Sequence, residues 1–265
     1  MTDEPVRLDV EDGVATLTLD RPDNRNALTR EMGSAIADAL DDLEGNEEAR
    51  CLVVTGSGGS FCAGGDINAM MERMGGDVPL HEAVRGIQYE TSKTLERVHE
   101  FYLPTVAKVD GVAFGAGANL AMACDLQVMS EEARISFGFR QVGLAVDTGT
   151  SYFLPRAVGE NTAKELVFTG ELVESERAED LGLVNHVFPA ESFDEDVAEF
   201  VETIATGPTV ALRASKQALR GGFDRSLGDA MAFEAAAQAQ VFESEDHAEG
   251  ATAFMEKRDP EFEGR

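Results

Sequence analysis

Residues 103–125 constrain this chain most, because a short strand signal there passes through a cluster of small residues into an apolar helix signal. Residues 105–109 (Thr-Val-Ala-Lys-Val) read as a buried strand bounded by Pro104 and by the turn signal Asp110-Gly111. Gly115, Ala116 and Gly117 come next, followed by the apolar run Leu120-Ala-Met-Ala123. Small residues at such a junction let a ligand approach the backbone, and the first turn of a helix leaves N–H groups without intrahelical partners. Together with the positive end of the helix dipole, those groups favour an anion or a developing oxyanion. Close packing of a helix on a sheet uses glycine equally well, so this stretch alone leaves both readings open. A second junction repeats the plan: strand 51–56, then a glycine-rich loop over 58–66, then a helix near 67–74. Two junctions can each aim one N–H at a single carbonyl oxygen, the arrangement that stabilises an enolate.

Further pieces accompany these two: Arg21-Pro22 with Asn26-Ala27-Leu28, Phe61-Cys-Ala-Gly-Gly-Asp-Ile67, Gly143-Leu-Ala-Val-Asp147 with Leu154-Pro-Arg156, and the tail 244–250 with Phe254. In this order and spacing, over nearly the whole chain, the sequence resembles the crotonase (enoyl-CoA hydratase/isomerase) superfamily. The resemblance implies an α/β fold: a crotonase-like spiral of repeated ββα units with a C-terminal α-helical region. It implies an acyl-CoA site in a core of residues 1–190 and oligomer contacts in helical residues 191–265. It also implies oxyanion N–H groups at Gly65 and Ala116, and substrate contacts at Arg25, Ala27, Ala63, Asp66, Ile67, Asn119 and Phe139. Arg25 would reach a CoA phosphate, although a surface loop arginine reads the same way. Coenzyme A then enters as part of an acyl-CoA thioester substrate, with no separate cofactor, and the assembly is a homotrimer or homohexamer.

Hydratases of that family carry two glutamates, and their positions here hold Asn119 and Phe139. Asparagine can orient a water or a carbonyl but cannot shuttle a proton, and phenylalanine can do neither. Asn119 also suits a residue that satisfies backbone groups near a helix start. Asp147 is the carboxylate left, in a segment that resembles the Gly-Leu-x-Pro-Asp-x-Gly signature of family isomerases, whose aspartate is the acid/base. Val146 replaces the proline, and Thr150 replaces the usual second glycine. The same Asp147 also suits the cap of a helix beginning near Thr148 or Thr150. One base suffices for a 1,3-proton shift, so the expectation is an isomerase that moves a 3,4 double bond to 2,3 or rearranges a ring-bearing acyl-CoA. The alternatives are an enoyl-CoA hydratase using Asp147 and a water on Asn119, and a CoA-thioester-binding protein with little chemistry.

Composition narrows the remaining classes. The 265 residues, 43% hydrophobic, suffice for a full core. Fifty acidic against 22 basic residues give a formal charge of −28, spread along every segment. That excess reads as solvation of the whole surface, of the kind used in a salt-rich cytoplasm, and it disfavours nucleic acid as a partner. Cys51, Cys62 and Cys124 each sit among apolar residues and read as reduced, buried thiols. Cys62 lacks a basic partner nearby in sequence, so a packed thiol is expected there, not a nucleophile. Residues 1–5 carry no basic or apolar region of a secretory signal, and no run is long enough for a membrane span, so a cytoplasmic location is expected. His81, His99, His186 and His247 lie far apart without ligand spacing, so no metal is expected. Leu120 stands where a dinucleotide fingerprint needs its third glycine, and neither a P-loop ending nor a Gly-x-Ser-x-Gly elbow occurs.

The rest of the chain reads in order. A hairpin is expected over 6–10 and 14–19, and a helix from Thr29 to about Glu44 with Met32, Ile36, Ala39, Leu40 and Leu43 on one face. Residues 75–79 break the next helix, as a lid or a plain connector. One long amphipathic helix is expected over 80–101, with Val84, Ile87, Leu95 and Val98 inward. Strands at 126–129, 133–137 and 184–187 and helices at 151–158, 161–169 and 175–181 bring the α/β part to its boundary near Ala190. From Phe193 the pattern is helical alone, over 193–206, 208–220, 226–242 and 245–257.

Overall fold

Asp12 and Gly13 both take positive φ, 49° and 81°. This is the two-residue turn that matches the twist of a hairpin. It joins β1 (Val6–Glu11) to β2 (Val14–Leu19) in antiparallel register, with Val6 opposite Leu19. The structure, a computed structural model, describes residues 4–76 and 78–265. Residues 1–3 of the segment searched for a secretory signal, and Asp77 of the 75–79 break, lie outside the described residues.

Thr29 caps the first helix as expected, its hydroxyl accepting from the Met32 N–H at 3.1 Å. That helix, α1 (Arg30–Leu43), buries the five residues predicted for its inner face. It carries the chain across to β3 (Cys51–Gly56), which pairs parallel with β2; parallel neighbours need such a crossover.

From β3 onward one plan recurs. The strand leads through the first glycine loop into α2 (Ile67–Met74). After α3 (Leu80–Gly86) and α4 (Ser92–Glu100), β4 (Thr105–Val109) leads to β5 (Val112–Phe114) and α5 (Ala116–Ala123). Then β6 (Leu126–Ser130) leads to β7 (Arg134–Ser136) and, past a loop, to α6 (Thr150–Val158) and α7 (Glu160–Thr169). β8 (Val173–Glu174), α8 (Ser175–Asp180) and β9 (His186–Phe188) close this part. The first strand of each unit enters a six-stranded sheet of order β1-β2-β3-β4-β6-β9; β5, β7 and β8 form a second, three-stranded sheet. Cys62, bridged in parallel to Ala113, extends that small sheet by one more unit. The ββα spiral expected from the sequence is present.

Period-two alternation splits the large sheet's residues between two cores. Leu52, Val54, Ala107 and Val109 pack with α1, α4 and α5, while Cys51, Val53, Val106 and Val128 pack with Phe193, Val197 and Val201 of α9 (Phe193–Ala205). Beyond β9 only helices follow: α9, α10 (Thr209–Arg220), α11 (Leu227–Phe242) and α12 (Glu245–Glu256). Among the described residues no helix is long and apolar enough to cross a membrane.

The single helix expected over 80–101 differs in the structure. It is α3 and α4 joined by a π-helical turn at Ile87–Thr91. Thr94, Leu95 and Val98 are buried, but Val84 is 53% exposed. The inserted turn rotates the helix face, so α3 does not continue the stripe of α4.

Adjacent units meet backbone to backbone. A Cβ on Gly117 would lie 2.1 Å from the Cys62 carbonyl oxygen, and one on Gly64, whose φ is 90°, would lie 2.5 Å from that of Phe114. Gly117→Ala therefore forces two layers apart, and we expect a loss of about 3 kcal/mol or more in urea unfolding. A wild-type midpoint in that variant would show that the junction yields freely.

Candidate active site

Asn26, fully buried at φ 55°, fixes the entrance to the first glycine loop. Its Oδ1 accepts from the Arg21 N–H at 2.9 Å, and its Nδ2 donates to the carbonyls of Ser57 (2.9 Å) and Ser60 (2.7 Å). Two backbone bonds tie the same segment further along: the Leu28 N–H to Gly64 O at 2.7 Å and the Ala63 N–H to Arg25 O at 2.9 Å. Gly64 in turn lies against the start of α5, where its added Cβ would be 3.4 Å from the Ala116 nitrogen. Gly65 and Ala116, the two positions read from the sequence as N–H donors, thus flank one contact between the units. Among the described residues neither of these N–H groups meets a protein acceptor. Ala116 opens α5 behind Gly115 (φ 55°, ψ −117°), with no side-chain cap over the helix end. Phe139, buried in the 3-10 turn after β7, lies beside Gly115, its ring edge 3.9 Å from where a Cβ would stand.

One turn along α5, Asn119 is fully buried. Its Nδ2 lies 2.8 Å from Thr148 Oγ1, 2.8 Å from Thr150 Oγ1 and 3.0 Å from the Asp147 carbonyl oxygen. The Thr150 hydroxyl returns a bond to Asn119 Oδ1 at 3.0 Å. The side chain therefore faces the 147–150 turn, not the start of its own helix. Because Asn119 stands about 4.5 Å along the helix axis from Ala116, the turn holding Asp147 is fastened close to the start of α5.

Asp147 is half-buried, and its Oδ1 accepts from the Thr148 hydroxyl at 3.2 Å. The N-cap of α6 is Gly149 at φ 94°, and the Thr150 N–H donates to the Asp147 carbonyl at 3.0 Å. Thr148 holds φ at 46°. A β-branched residue is a genuine outlier there, at a cost of about 1–3 kcal/mol that the surrounding bonds must offset. The turn borders a cavity of about 700 Å³ lined in part by His99, Tyr152, Phe153, Arg220 and Phe233. Burial, then the Arg220 guanidinium, pulls His99 below its ordinary value, which favours the neutral ring at neutral pH.

The other residues named from the sequence lie around the first loop. Arg25 is exposed at φ 50°, Ala27 and Ala63 are half-buried, and Ile67 is 69% exposed at the head of α2. Asp66 Oδ1 accepts from the Asn68 N–H at 2.9 Å, in the first turn of α2. Cys62 is buried, and burial pushes its thiol up to about 12, so it is not a thiolate at neutral pH. Among the described residues no three His, Cys, Asp or Glu side chains gather as a metal site would require. The clamp of Asn26 joins residues far apart in the chain and leaves no local signal, and Thr148 leaves none either, since a β-branched residue argues against positive φ.

A family model described as enoyl-CoA hydratase/isomerase matches residues 9–265. A Thermus thermophilus protein bearing an enoyl-CoA hydratase name is 40% identical over 249 residues, covering 94% of this chain and 97% of its own. The Escherichia coli 1,2-epoxyphenylacetyl-CoA isomerase is 32% identical over 256 residues, 97% of either chain. Among solved structures, an enoyl-CoA hydratase from Bacillus anthracis superposes with a TM-score of 0.91 at 28% identity, over 98% of this chain and 100% of that one.

The thiols give a pH test. Burial raises Cys51 and Cys62 from 9.0 to about 12, and raises Cys124 as well. Above about pH 9 the unfolded chain releases these protons while the folded one keeps them, so stability falls as pH rises toward about 12. Urea midpoints should show this decline, and Cys62→Ala should make it shallower; parallel declines in the two proteins would rule out Cys62 as a contributor.

Proposed function

The chain belongs to the enoyl-CoA hydratase/isomerase family of the crotonase superfamily, and we propose that within it this enzyme is an acyl-CoA isomerase. It moves a double bond from the 3,4 to the 2,3 position, or rearranges a ring-bearing acyl-CoA. One observation carries this reading: positions 119 and 139 hold no carboxylate, while the Asp147 turn is bonded to α5 one turn from Ala116.

The thioester oxygen accepts from the N–H groups of Gly65 and Ala116. The Asp147 carboxylate takes a proton from C2, and the electron pair spreads over C2, C4 and the thioester oxygen as a dienolate. The acid so formed returns the proton at C4, which leaves the double bond between C2 and C3 with the composition unchanged. A donor aimed at such an oxygen contributes about a hundredfold or more in rate, and a single carboxylate serves both proton steps. Hydration requires a held water as well, and the two Asn119 amide hydrogens are already shared among Thr148, Thr150 and the Asp147 carbonyl. The isomerase name of the Escherichia coli relative agrees with the ring-bearing variant. Arg25, Ala27, Ala63, Asp66 and Ile67 form the approach for the CoA part of the substrate, and Phe139 gives the acyl part an apolar wall.

The enzyme works as a homotrimer or a dimer of trimers, with helical residues 191–265 as its assembly region. The support is that α11 is 16 residues long and rich in apolar side chains, yet none of its residues is buried, and Phe254 of α12 is 86% exposed. The acidic surface suits a salt-rich cytoplasm, where repulsion between subunits of charge −28 is screened.

Three measurements check these readings. Mass analysis of 3-enoyl-CoA and 2-enoyl-CoA panels should give products of unchanged mass with a shifted double bond; a gain of one water would make the enzyme a hydratase. Asp147→Asn should abolish turnover while acyl-CoA affinity stays near wild type, and near-normal turnover would remove Asp147 as the base. Light scattering should give an oligomer at high salt and dissociation at low salt, and a monomer throughout would end the assembly reading.

A further inference from the structure

We propose that Thr148 and Asn119 are positioning residues that hold the Asp147 carboxylate through a directed hydrogen-bond relay. This rests on the reading of Asp147 as the base. The Thr148 hydroxyl has one hydrogen, and it points to Asp147 Oδ1 at 3.2 Å. Its lone pairs accept from Asn119 Nδ2 at 2.8 Å, so the donors run in one direction, from Asn119 through Thr148 to the carboxylate. Asn119 is itself locked: its Nδ2 reaches the Asp147 carbonyl at 3.0 Å, and its Oδ1 accepts from the Thr150 hydroxyl at 3.0 Å. The amide thus grips both the backbone of the acid residue and, through Thr148, its side chain.

The backbone argues for the same role. Glycine or asparagine would take φ 46° with little strain, yet threonine stands there. Its hydroxyl joins the buried amide to the half-buried carboxylate, a link glycine would lose. The position aligned with a hydratase glutamate has therefore become the anchor of the one carboxylate that remains.

Thr148→Val keeps the branched shape and removes the relay, and Thr148→Ser keeps the hydroxyl. We expect Thr148→Val to lower kcat about tenfold with KM unchanged, because a displaced base loses its alignment. The acid limb of its pH–rate profile should move upward by about one pH unit, since a hydrogen bond to a carboxylate favours the charged form. Thr148→Ser should restore both quantities. The charged groups lining the adjoining cavity, Glu96, His99 and Glu100 on one side and Arg220, Asp224 and Arg225 on the other, are the same in every variant. Asp147→Asn separates the two readings. If it is inactive while folded Thr148→Val keeps the wild-type limb and kcat, positioning fails and the base stands. If Asp147→Asn stays active, both fall. Should Thr148→Val not fold, Thr148→Gly, which relieves the backbone and also lacks the hydroxyl, must show the same limb shift; a wild-type limb there overturns the proposal.

Discussion

The structure depends on the contact between the Cys62–Gly65 loop and the Phe114–Gly117 junction. At Gly117 and Gly64 the two backbones come closer than any side chain would allow. The Phe114 N–H donates to Cys62 O at 2.9 Å, and the Cys62 N–H donates to Val112 O at 3.1 Å. This pairing stitches one ββα unit to the next. It also sets the Gly65 and Ala116 N–H groups on adjoining backbones, so the packing of the core and the placement of the site are one constraint. The spiral cannot loosen here without moving the donors.

A second set of bonds fixes the helical part on this core. Lys216 of α10 is almost entirely buried, its Nζ 2.6 Å from Asp125 Oδ2 and 2.8 Å from Leu103 O. Burial pulls that lysine below its ordinary value, and Asp125 opposes the pull. The same carboxylate oxygen accepts from the N–H and hydroxyl of Thr105, at 2.8 and 2.9 Å, at the head of β4. Arg50 grips the other side, reaching Gly207 O, Thr209 Oγ1 and Phe262 O. Because Lys216 is buried, losing the carboxylate of Asp125 would strand its charge, so this contact specifies where α10 docks more than it adds stability. That docking builds the far wall of the cavity beside Thr148.

How much was legible in the sequence follows from what local patterns encode. The buried face of α1 and its Thr29 cap follow from periodicity and capping chemistry, both local. The glycine junctions follow from composition, because glycine marks close approach or positive φ. β5 and β8, of three and two residues, fall in a glycine-rich junction and in a short connector between helices, so no strand pattern announces them. The π turn at Ile87–Thr91 keeps helical composition while rotating the face, which is why Val84 was assigned inward. Asp147 was legible as a residue but not in its setting. The bonds that orient it come from Asn119, 28 positions earlier, and long-range partners leave no trace in local spacing.

An amide at position 119 suits the 147–150 turn in a way that a carboxylate would not. A glutamate there would bring a further negative charge toward the Asp147 turn and would offer no donor to its carbonyl. The amide supplies donors in the same space, and it meets three acceptors within 3.0 Å. Thr150 completes the set by donating back to the amide oxygen. Asn119, Thr148 and Thr150 act as a group: a carboxylate at 119 would repel the turn, and a glycine at 150 would remove the hydroxyl that donates to the buried amide oxygen. A buried polar network is favourable when every member is paired and costly when one is missing. That interdependence links the three residues to one another and to the carboxylate they surround.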